Sequence, residues 1–208
     1  MDIVDENKIK DFKDLLYIYN SGLKIVKTKI EILSESYNNI EKYNPIEHIK
    51  SRIKSLESID EKIKRKNINK DIESIKDKIE DIAGIRIICS FANDVYKVAE
   101  DIKKQPDVIF ISEDDYIKNP KENGYRSYHM IIKVPVYLVD RVEQAKVEVQ
   151  IRTEAMDFWA SLEHKANYKF NGDVPKHLLD EFKVCSEKID ELDKRMFLIK
   201  DIIYLINN

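Results

Sequence analysis

The 208-residue sequence contains only four glycines, five prolines, two cysteines and one tryptophan. Because glycine is so scarce, neither GxxxxGK[ST] nor GxGxxG occurs, so any bound phosphate would have to be held by side chains rather than by a glycine-rich loop. Cys89 and Cys185 have no CxxC partner and no nearby histidine, which argues against a zinc site and predicts two buried, small apolar residues. The four histidines form neither HExxH nor a His-Asp dipeptide, which argues against a metal hydrolase.

Long apolar runs and a one-sided charge are also missing. No stretch approaches about 18 apolar residues, and the N-terminus MDIVDENKIK lacks a cationic start followed by an apolar run, so we expect a cytoplasmic protein. Lys and Arg number 36 against 39 Asp and Glu, a net charge of −3. This balance gives no general attraction to nucleic acid or to an anionic membrane. Any anion site must therefore be local.

Both ends of the chain carry a heptad-like stripe of apolar residues. The first stripe comprises Ile9, Phe12, Leu16, Tyr19, Leu23, Val26, Ile30, Leu33, Tyr37 and Ile40. The second comprises Leu178, Phe182, Cys185, Ile189, Leu192, Met196, Ile199, Ile203 and Ile206. Such spacing predicts long helices that pack lengthwise, with Gly22 breaking or bending the first. Two interpretations remain open: the stripes cover a sheet, or they mediate self-association.

The middle of the chain alternates between strand and helix patterns. Ser58 with Glu61 has capping-box spacing and predicts a helix SIDEKIKRK, and a second short helix is expected from Asp71 to Ile79. Further predicted elements are strands at 84–91, 107–112, 127–139 and 146–152, with helices at 93–104 and 153–167. The varied connections favour an α+β fold with a mixed sheet of about five strands, within a single domain.

The strand KVEVQIRT, residues 146–153, places polar side chains on one face. Val147, Val149 and Ile151 alternate with Glu148, Gln150 and Arg152. This polar face is either open to solvent or the floor of a cleft. Upstream, DIAGIRIIC places Asp81 just before a strand and Arg86 inside an apolar run, where an arginine needs a partner. Asp81 and Glu148 on neighbouring strands would suit Mg²⁺ bound together with substrate phosphates.

Two other segments suggest anion or base binding. Residues 50–66 carry seven basic and three acidic side chains, a local net charge of +4 that suits a polyphosphate, although a solvated helix face is an equal alternative. NGYRSYH places Tyr125 beside a turn, and tyrosine rings stack on nucleic-acid bases. A lone tyrosine is nevertheless more often part of a core. LEHKANYK on the following helix adds His164, Tyr168 and Lys169.

Four motifs, taken in order, go beyond composition. RIKSLESIDEKIKRK, DIAGIRIIC, ENGYRSYHMII and VEVQIRTEAMDFWASLEHKANYK closely resemble the synthetase domain of RelA/SpoT enzymes, which make the alarmones ppGpp and pppGpp. The similarity spans about residues 45–169. With no His-Asp hydrolase motif and no room for regulatory C-terminal domains, the chain resembles a stand-alone small alarmone synthetase of the RelQ type. The resemblance implies a nucleotidyltransferase-like synthetase core at about 45–170, with helical oligomerisation elements at 5–41 and 176–206.

The resemblance also implies a reaction and roles for residues. The β,γ-pyrophosphoryl group of ATP would pass to the ribose 3′-hydroxyl of GDP or GTP, with GMP left open, releasing AMP as part of the stringent response. Asp81 and Glu148 would hold Mg²⁺, and Glu148 would also orient or accept the hydroxyl proton. Arg52 and Arg86 would sandwich adenine, a role suited to planar guanidinium groups. The ATP phosphates would contact Lys54, Ser58, Lys62 and some of Lys64, Arg65 and Lys66.

For the acceptor, the resemblance implies that Tyr125 stacks on guanine. Its ribose or phosphates would be reached by Lys121, His129, Gln150, His164 and Lys169, whereas Arg152 could be structural. The loop from Asn67 to Asp71 matches the family loosely, which leaves the lysine contacts open. Family members imply a homotetramer, allosteric pppGpp and single-stranded RNA as further partners. A catalytically weak, nucleotide-sensing or RNA-binding regulator on the same fold remains the alternative.

Overall fold

The computed structural model describes residues 6–41 and 43–206, with side chains for 10–41 and 43–203. Its centre is a five-stranded sheet in the order β1-β2-β5-β4-β3. Only β2 and β5 run parallel to each other, and the other neighbouring pairs are antiparallel. The predicted α+β fold with a mixed sheet is therefore confirmed.

The strands are β1 Ile46–Ile53, β2 Ala83–Cys89, β3 Ile109–Asp115, β4 Tyr128–Tyr137 and β5 Val142–Thr153. The helices are α1 Glu6–Ser36, α2 Leu56–Lys66, α3 Ile72–Lys78, α4 Ala92–Lys103, α5 Glu154–Lys169 and α6 Lys176–Ile206, with a short π-helix at Tyr37–Glu41. The sequence patterns did not identify β1, an edge strand with most side chains exposed. The predicted cap was also misplaced: Ser55, not Ser58, caps α2, and its side chain accepts from the Ser58 amide.

Helix α1 is continuous and covers the apolar face of the sheet, so the sheet-covering interpretation holds for the first stripe from Phe12 to Tyr37, whereas Ile40 is exposed and the side chain of Ile9 lies outside the described residues. Leu23, Val26 and Ile30 are buried in one cluster with Val147 and Val149 of β5. Gly22 does not break the helix. A Cβ added there would lie 2.2 Å from the Ala145 Cβ, so the missing side chain allows the helix backbone to approach the sheet.

Gly22→Ala is expected to lower the melting temperature. Helix propensity alone would favour alanine by about 1 kcal/mol, but overpacking a core typically costs roughly 1–3 kcal/mol, so the clash with Ala145 should prevail. A net loss near 1 kcal/mol corresponds to a decrease of about 2–4 °C for a chain of this size. Calorimetry should show this decrease, and Asn20→Ala, at an exposed position of the same helix, is the control. A stabilised Gly22→Ala variant would contradict the packing described here.

On helix α6 the second half of the apolar stripe faces solvent: Leu192, Met196 and Ile199 are 51%, 46% and 49% exposed. In the first half Leu178, Phe182 and Ile189 are partly buried, and Phe182 packs edge-on against Trp159 of α5. The buried positions of α6 are polar, with Ser186 and Asp193 only 2% and 7% exposed. Cys89 is buried as predicted, but Cys185 is exposed, so its predicted burial was wrong. The second stripe does not cover the sheet.

Of the helices in the part of the chain that the structure describes, none is long and apolar enough to cross a membrane.

Candidate active site

The face of the sheet opposite α1 carries a row of polar residues across the strands. Lys50 pairs with Arg86, Arg86 with Gln150, and Gln150 with His129, so these side chains share one face. The adjacent row joins Arg52, Gly84 and Glu148. The predicted alternation of β5 is confirmed, because Val147, Val149 and Ile151 point into the core.

A cavity of about 210 Å³ opens on this face. Its lining combines β1, β2 and β5: Lys50, Ser51, Arg52, Gly84, Ile85, Arg86, Glu148 and Gln150. Four residues predicted from sequence to bind nucleotide or metal, on three strands, therefore meet in one place. Gly84 lies between Arg52 and Glu148 in this row. Because it has no side chain, the space between them stays open; a Cβ added there would lie 3.9 Å from the Glu148 Oε2.

Asp81 lies two residues before β2, near enough for its charge to raise the pKa of Glu148, and it binds two lysines. Lys54 Nζ donates to Oδ2 at 2.8 Å, and Lys62 Nζ donates to Oδ1 at 2.7 Å. Burial raises the pKa of Asp81, but the hydrogen bonds from Lys54 and Lys62 outweigh it, so the pKa lies below the usual aspartate value. The basic segment 50–66 thus delivers two ammonium groups to one carboxylate.

Glu148 is oriented by a chain of hydrogen bonds from the core. Arg152 Nη2 donates to the Tyr125 hydroxyl at 2.9 Å, that hydroxyl lies 2.8 Å from His129 Nε2, and His129 Nδ1 lies 3.4 Å from Glu148 Oε1. Tyr125 accepts from Arg152, so its own proton is available to Nε2; with that assignment the ring proton of His129 is on Nδ1, facing Glu148.

Glu148 has a second tether and remains ionised. Gln150 Nε2 donates to Glu148 Oε2 at 3.1 Å. Burial raises the pKa of Glu148, but the hydrogen bond from His129 and, to a smaller extent, that from Gln150 outweigh it, so the pKa lies below the usual glutamate value. The carboxylate is therefore held in place and charged at neutral pH.

Asp157 of α5 is the partner that Arg86 required, and sequence reasoning missed it. Its Oδ1 accepts from Arg86 Nη1 at 3.2 Å and from Arg152 Nη1 at 3.4 Å, and its Oδ2 lies 3.7 Å from Lys50 Nζ. Arg152 is 2% exposed, in line with the structural role left open for it. The only local signal for Asp157 was an acidic residue in the first turn after QIRT.

The loop between β3 and β4 forms a second wall beside Glu148, and we call residues 116–127 the acceptor loop. Lys121 Nζ lies 5.1 Å from the Tyr125 ring centre and 4.5 Å from that of Tyr116. Tyr116 also meets the rings of Tyr125 and His129 edge-on, at 6.0 and 5.2 Å between ring centres. Tyr116 was another residue that the sequence did not mark. Burial raises the pKa of the Tyr125 hydroxyl, although Arg152 opposes this.

Other predicted residues lie further from this centre. Lys64 is bound to Asp60 at 2.6 Å on the solvent side of α2, and Arg65 and Lys66 are exposed. Ser58 accepts a hydrogen bond from Ser55 Oγ at 3.0 Å. His164 and Lys169 are exposed on α5, roughly 15 and 22 Å along the axis from its first residue. The structure therefore ties Lys54 and Lys62 to Asp81 but shows no such link for these six residues.

A larger hollow of about 870 Å³ lies between α1, α2 and α3. Its lining includes Phe12, Leu16, Ile59, Ile63 and Ile75 and none of the residues predicted to bind nucleotide or metal. The candidate site is therefore identified by the convergence of charged groups and not by the volume of the cavity.

The donor set near Asp81 and Glu148 fits a hard divalent cation. Both groups are carboxylates with lowered pKa values, and oxygen ligands of this kind suit Mg²⁺. Among the residues that the structure describes, no group of three or more His, Cys, Asp or Glu side chains converges. Two protein carboxylates with further oxygens from substrate phosphates are a usual arrangement for this ion.

Comparison with known proteins agrees with the site. A family model described as "Region found in RelA / SpoT proteins" matches residues 51–173. The chain is 51% identical over 192 residues to GTP pyrophosphokinase YwaC of Bacillus subtilis (strain 168), covering 92% of this chain and 91% of that protein.

Two solved structures share the fold over nearly all of the chain. The crystal structure of small alarmone synthetase 2 from Bacillus subtilis superposes with a TM-score of 0.84 at 50% identity, covering 92% of this chain and 98% of that one. Small alarmone synthetase 1 from the same organism, bound to its product pppGpp, gives a TM-score of 0.85 at 34% identity, covering 93% and 98%. The chain belongs to the RelA/SpoT family.

Proposed function

We propose that this protein is a (p)ppGpp synthetase, a GTP diphosphokinase that transfers the β,γ-pyrophosphoryl group of ATP to the 3′-hydroxyl of a guanine nucleotide. The new bond joins the 3′-oxygen to the β-phosphorus, the bond between that phosphorus and the α,β-bridging oxygen breaks, and AMP leaves. The observation that carries this proposal is the meeting of Arg52, Arg86, Glu148 and Gln150 in one cavity on three strands. Membership of the RelA/SpoT family supports it.

The ATP side is formed by β1, β2 and the start of α2. Arg52 and Arg86 line the cavity from neighbouring strands, which suits two guanidinium planes on either side of adenine. Lys54 and Lys62 lie where triphosphate charge would need neutralising. Their ammonium groups neutralise Asp81 in the absence of nucleotide.

Glu148 is the proposed acceptor of the 3′-hydroxyl proton. It is ionised, half-buried and held by His129 and Gln150, so its orientation does not depend on the substrate. Phosphoryl transfer requires positioning and charge neutralisation above all, and a carboxylate fixed at the sheet floor supplies the first.

We propose Mg²⁺ as the cofactor, held by Asp81 and Glu148. When bound, the ion would neutralise charge on the transferred phosphates. Lys54 and Lys62 both bond to Asp81, the proposed metal ligand. They would therefore add positive charge from the protein at the place where the phosphates need it.

The acceptor side is formed by the acceptor loop and the end of β5. Tyr125 offers its ring to guanine while its hydroxyl is fixed by Arg152 and His129. Lys121, above two tyrosine rings, offers a cation to the acceptor phosphates. His164 and Lys169 stay proposals for the more distant part of this nucleotide, and GMP remains open beside GDP and GTP.

The exposed apolar stripe of α6 supports self-association, and we propose a homotetramer in the cytoplasm. Leu192, Met196 and Ile199 lie at heptad spacing on the exposed side of the helix. Size-exclusion chromatography with light scattering tests this proposal, and a monomer at micromolar concentration would contradict it. Allosteric pppGpp and single-stranded RNA stay further candidate partners.

The activity itself is tested by incubating the protein with labelled ATP, Mg²⁺ and each of GMP, GDP and GTP. We expect a labelled guanosine 3′-pyrophosphate product and stoichiometric AMP with at least one acceptor. Absence of product with all three would refute the proposed function. The alternative, a catalytically weak nucleotide sensor or RNA-binding regulator, is not favoured, because Asp81, Glu148 and Tyr125 are all present and two carboxylates are ionised.

A further inference from the structure

Helix α6 contacts the proposed acceptor site through three polar side chains, Ser186, Asp190 and Asp193, which we call the α6 polar row. Their spacing of four and three residues places them on one face of the helix. Ser186 Oγ donates to the Gly124 carbonyl, Asp190 Oδ1 lies 3.5 Å from Arg126 Nη1, and Thr153 Oγ1 donates to Asp193 Oδ2 at 2.6 Å. The row therefore touches the residues on both sides of Tyr125 and the end of β5.

The turn before Tyr125 lies directly against the helix. Gly124 has a φ of 93°, a left-handed conformation that favours glycine. A Cβ at this position would lie 2.9 Å from the Ser186 Cβ and 3.2 Å from the Lys183 Cα. No larger residue would let the turn approach α6 so closely. The helix thus fixes the backbone immediately before the tyrosine.

Arg126, immediately after Tyr125, is clamped between the helix and the start of the acceptor loop. Its Nη1 donates to the Ile117 carbonyl at 2.9 Å as well as facing Asp190. The Arg126 and Asp190 side chains are only 15% and 20% exposed, so solvent screens this ion pair less than a surface pair. The guanidinium of Arg126 therefore links the start of the acceptor loop, at Ile117, to helix α6, at Asp190.

Polar residues such as those of the α6 polar row are unusual on the packed face of a helix. Burying Ser186 and Asp193 costs free energy unless their hydrogen bonds are made, whereas the same helix exposes Leu192 and Met196. Directional hydrogen bonds fix orientation in a way that apolar packing does not. We propose that Ser186, Asp190 and Asp193 are positioning residues that hold Tyr125 and the end of β5 in the guanine-nucleotide site without touching the nucleotide. This inference rests on the proposed acceptor site.

The test is the kinetics of Asp190→Asn. Loss of the ion pair with Arg126 should loosen Tyr125 and raise the KM for the guanine nucleotide about five-fold, a size consistent with a partly buried pair. The substitution also removes the i,i+4 pair of Asp190 with Lys194. The KM for ATP and the kcat at saturating acceptor should stay within two-fold, on the order of ordinary surface substitutions. Asp190→Glu, which keeps the charge, should recover part of the loss. The matched control is Glu191→Gln, the neighbouring acidic residue, which pairs with Arg195 on the solvent side.

A double-mutant cycle separates positioning from general damage. If Asp190 acts through Arg126, the acceptor KM of Asp190→Asn combined with Arg126→Gln should equal that of the more affected single variant. If the increases in acceptor KM of the two single variants multiply in the double variant, Asp190 does not act through Arg126. Thermal unfolding is measured for every variant, and should Asp190→Asn not fold, Ser186→Ala, which loses only the hydrogen bond to Gly124, carries the same expected rise in acceptor KM.

Tyr125→Ala serves as the reference variant and keeps the two proposals apart. If it raises the acceptor KM while the polar-row variants do not, the positioning role is wrong and the acceptor site stands. If neither Tyr125→Ala nor the polar-row variants change that KM, the proposed acceptor site itself is wrong. A rise in the KM for ATP of similar size in Asp190→Asn would show general disruption and would also overturn the positioning role.

Discussion

Glu148→Gln is expected to lower the rate of product formation by at least about 10³-fold while leaving the fold intact. Removing a general base alone costs roughly 10²–10⁴-fold, and here the same carboxylate is also a proposed ligand of Mg²⁺. Glutamine has the same length, and its amide can still meet Gln150 and His129. The measurement is single-turnover formation of the guanosine 3′-pyrophosphate product from labelled ATP.

Glu143→Gln provides the matched control for this substitution. It lies on the same strand but pairs with Arg141 and Lys76 at the other end, away from the cavity. It should retain near-normal turnover. If Glu148→Gln keeps more than about a tenth of the wild-type rate, which is within 1.4 kcal/mol of the original barrier, Glu148 cannot be the base.

Asp81→Asn is expected to separate binding from turnover. Turnover should fall by about 10²–10³-fold because a charged ligand of the proposed Mg²⁺ is lost. In the absence of Mg²⁺, however, the same variant should bind a non-hydrolysable ATP analogue more tightly than the wild type. Lys54 and Lys62 would no longer be neutralised by Asp81, and one unit charge near a protein surface changes affinity by about five-fold or more.

Isothermal titration with and without Mg²⁺ measures this difference. Asp77→Asn is the control, because Asp77 is an exposed acidic residue in the adjacent helix α3. Weaker binding of the analogue to Asp81→Asn in the absence of metal would show that Lys54 and Lys62 do not face the triphosphate. Normal turnover would remove Asp81 from the proposed metal site.

The polar floor of the site was predictable from sequence because strand alternation is strictly local. Glu148 and Gln150 had to share a face once KVEVQIRT was assigned as a strand, and the structure confirms it. The need of Arg86 for a partner was also predictable from its apolar surroundings. The partner itself was not, since Asp157 is 71 residues away in sequence and reaches Arg86 only through the pairing of β2 with β5.

Periodicity could not show which face of a helix the fold would use. The stripe on α1 and the stripe on α6 look alike in sequence, yet Val26 is buried against the sheet and Leu192 faces solvent. The choice depends on where the neighbouring elements lie. In α6 the hydrogen bonds of Ser186 and Asp193 decide it, and isolated Ser and Asp residues on a helix carry no such signal.

The strand order has a consequence for how the enzyme becomes active as it folds. Strands β4 and β5 form a hairpin closed by a short turn at 138–141, with Leu138 N bonded to Arg141 O at 2.8 Å. This hairpin alone brings together His129, Glu148 and Gln150. The β2–β5 pair instead joins residues such as Gly84 and Glu148 that are distant in sequence, and non-local parallel pairing is slow.

The acceptor half of the site should therefore form early in folding and the ATP half late. Pulsed hydrogen exchange during refolding should show protection of β4–β5 amides before those of β1 and β2. Simultaneous protection would contradict this order. Lys54, Arg86 and Asp81 all belong to the late half, so a partly folded chain would form the proposed acceptor wall before the groups proposed to bind ATP.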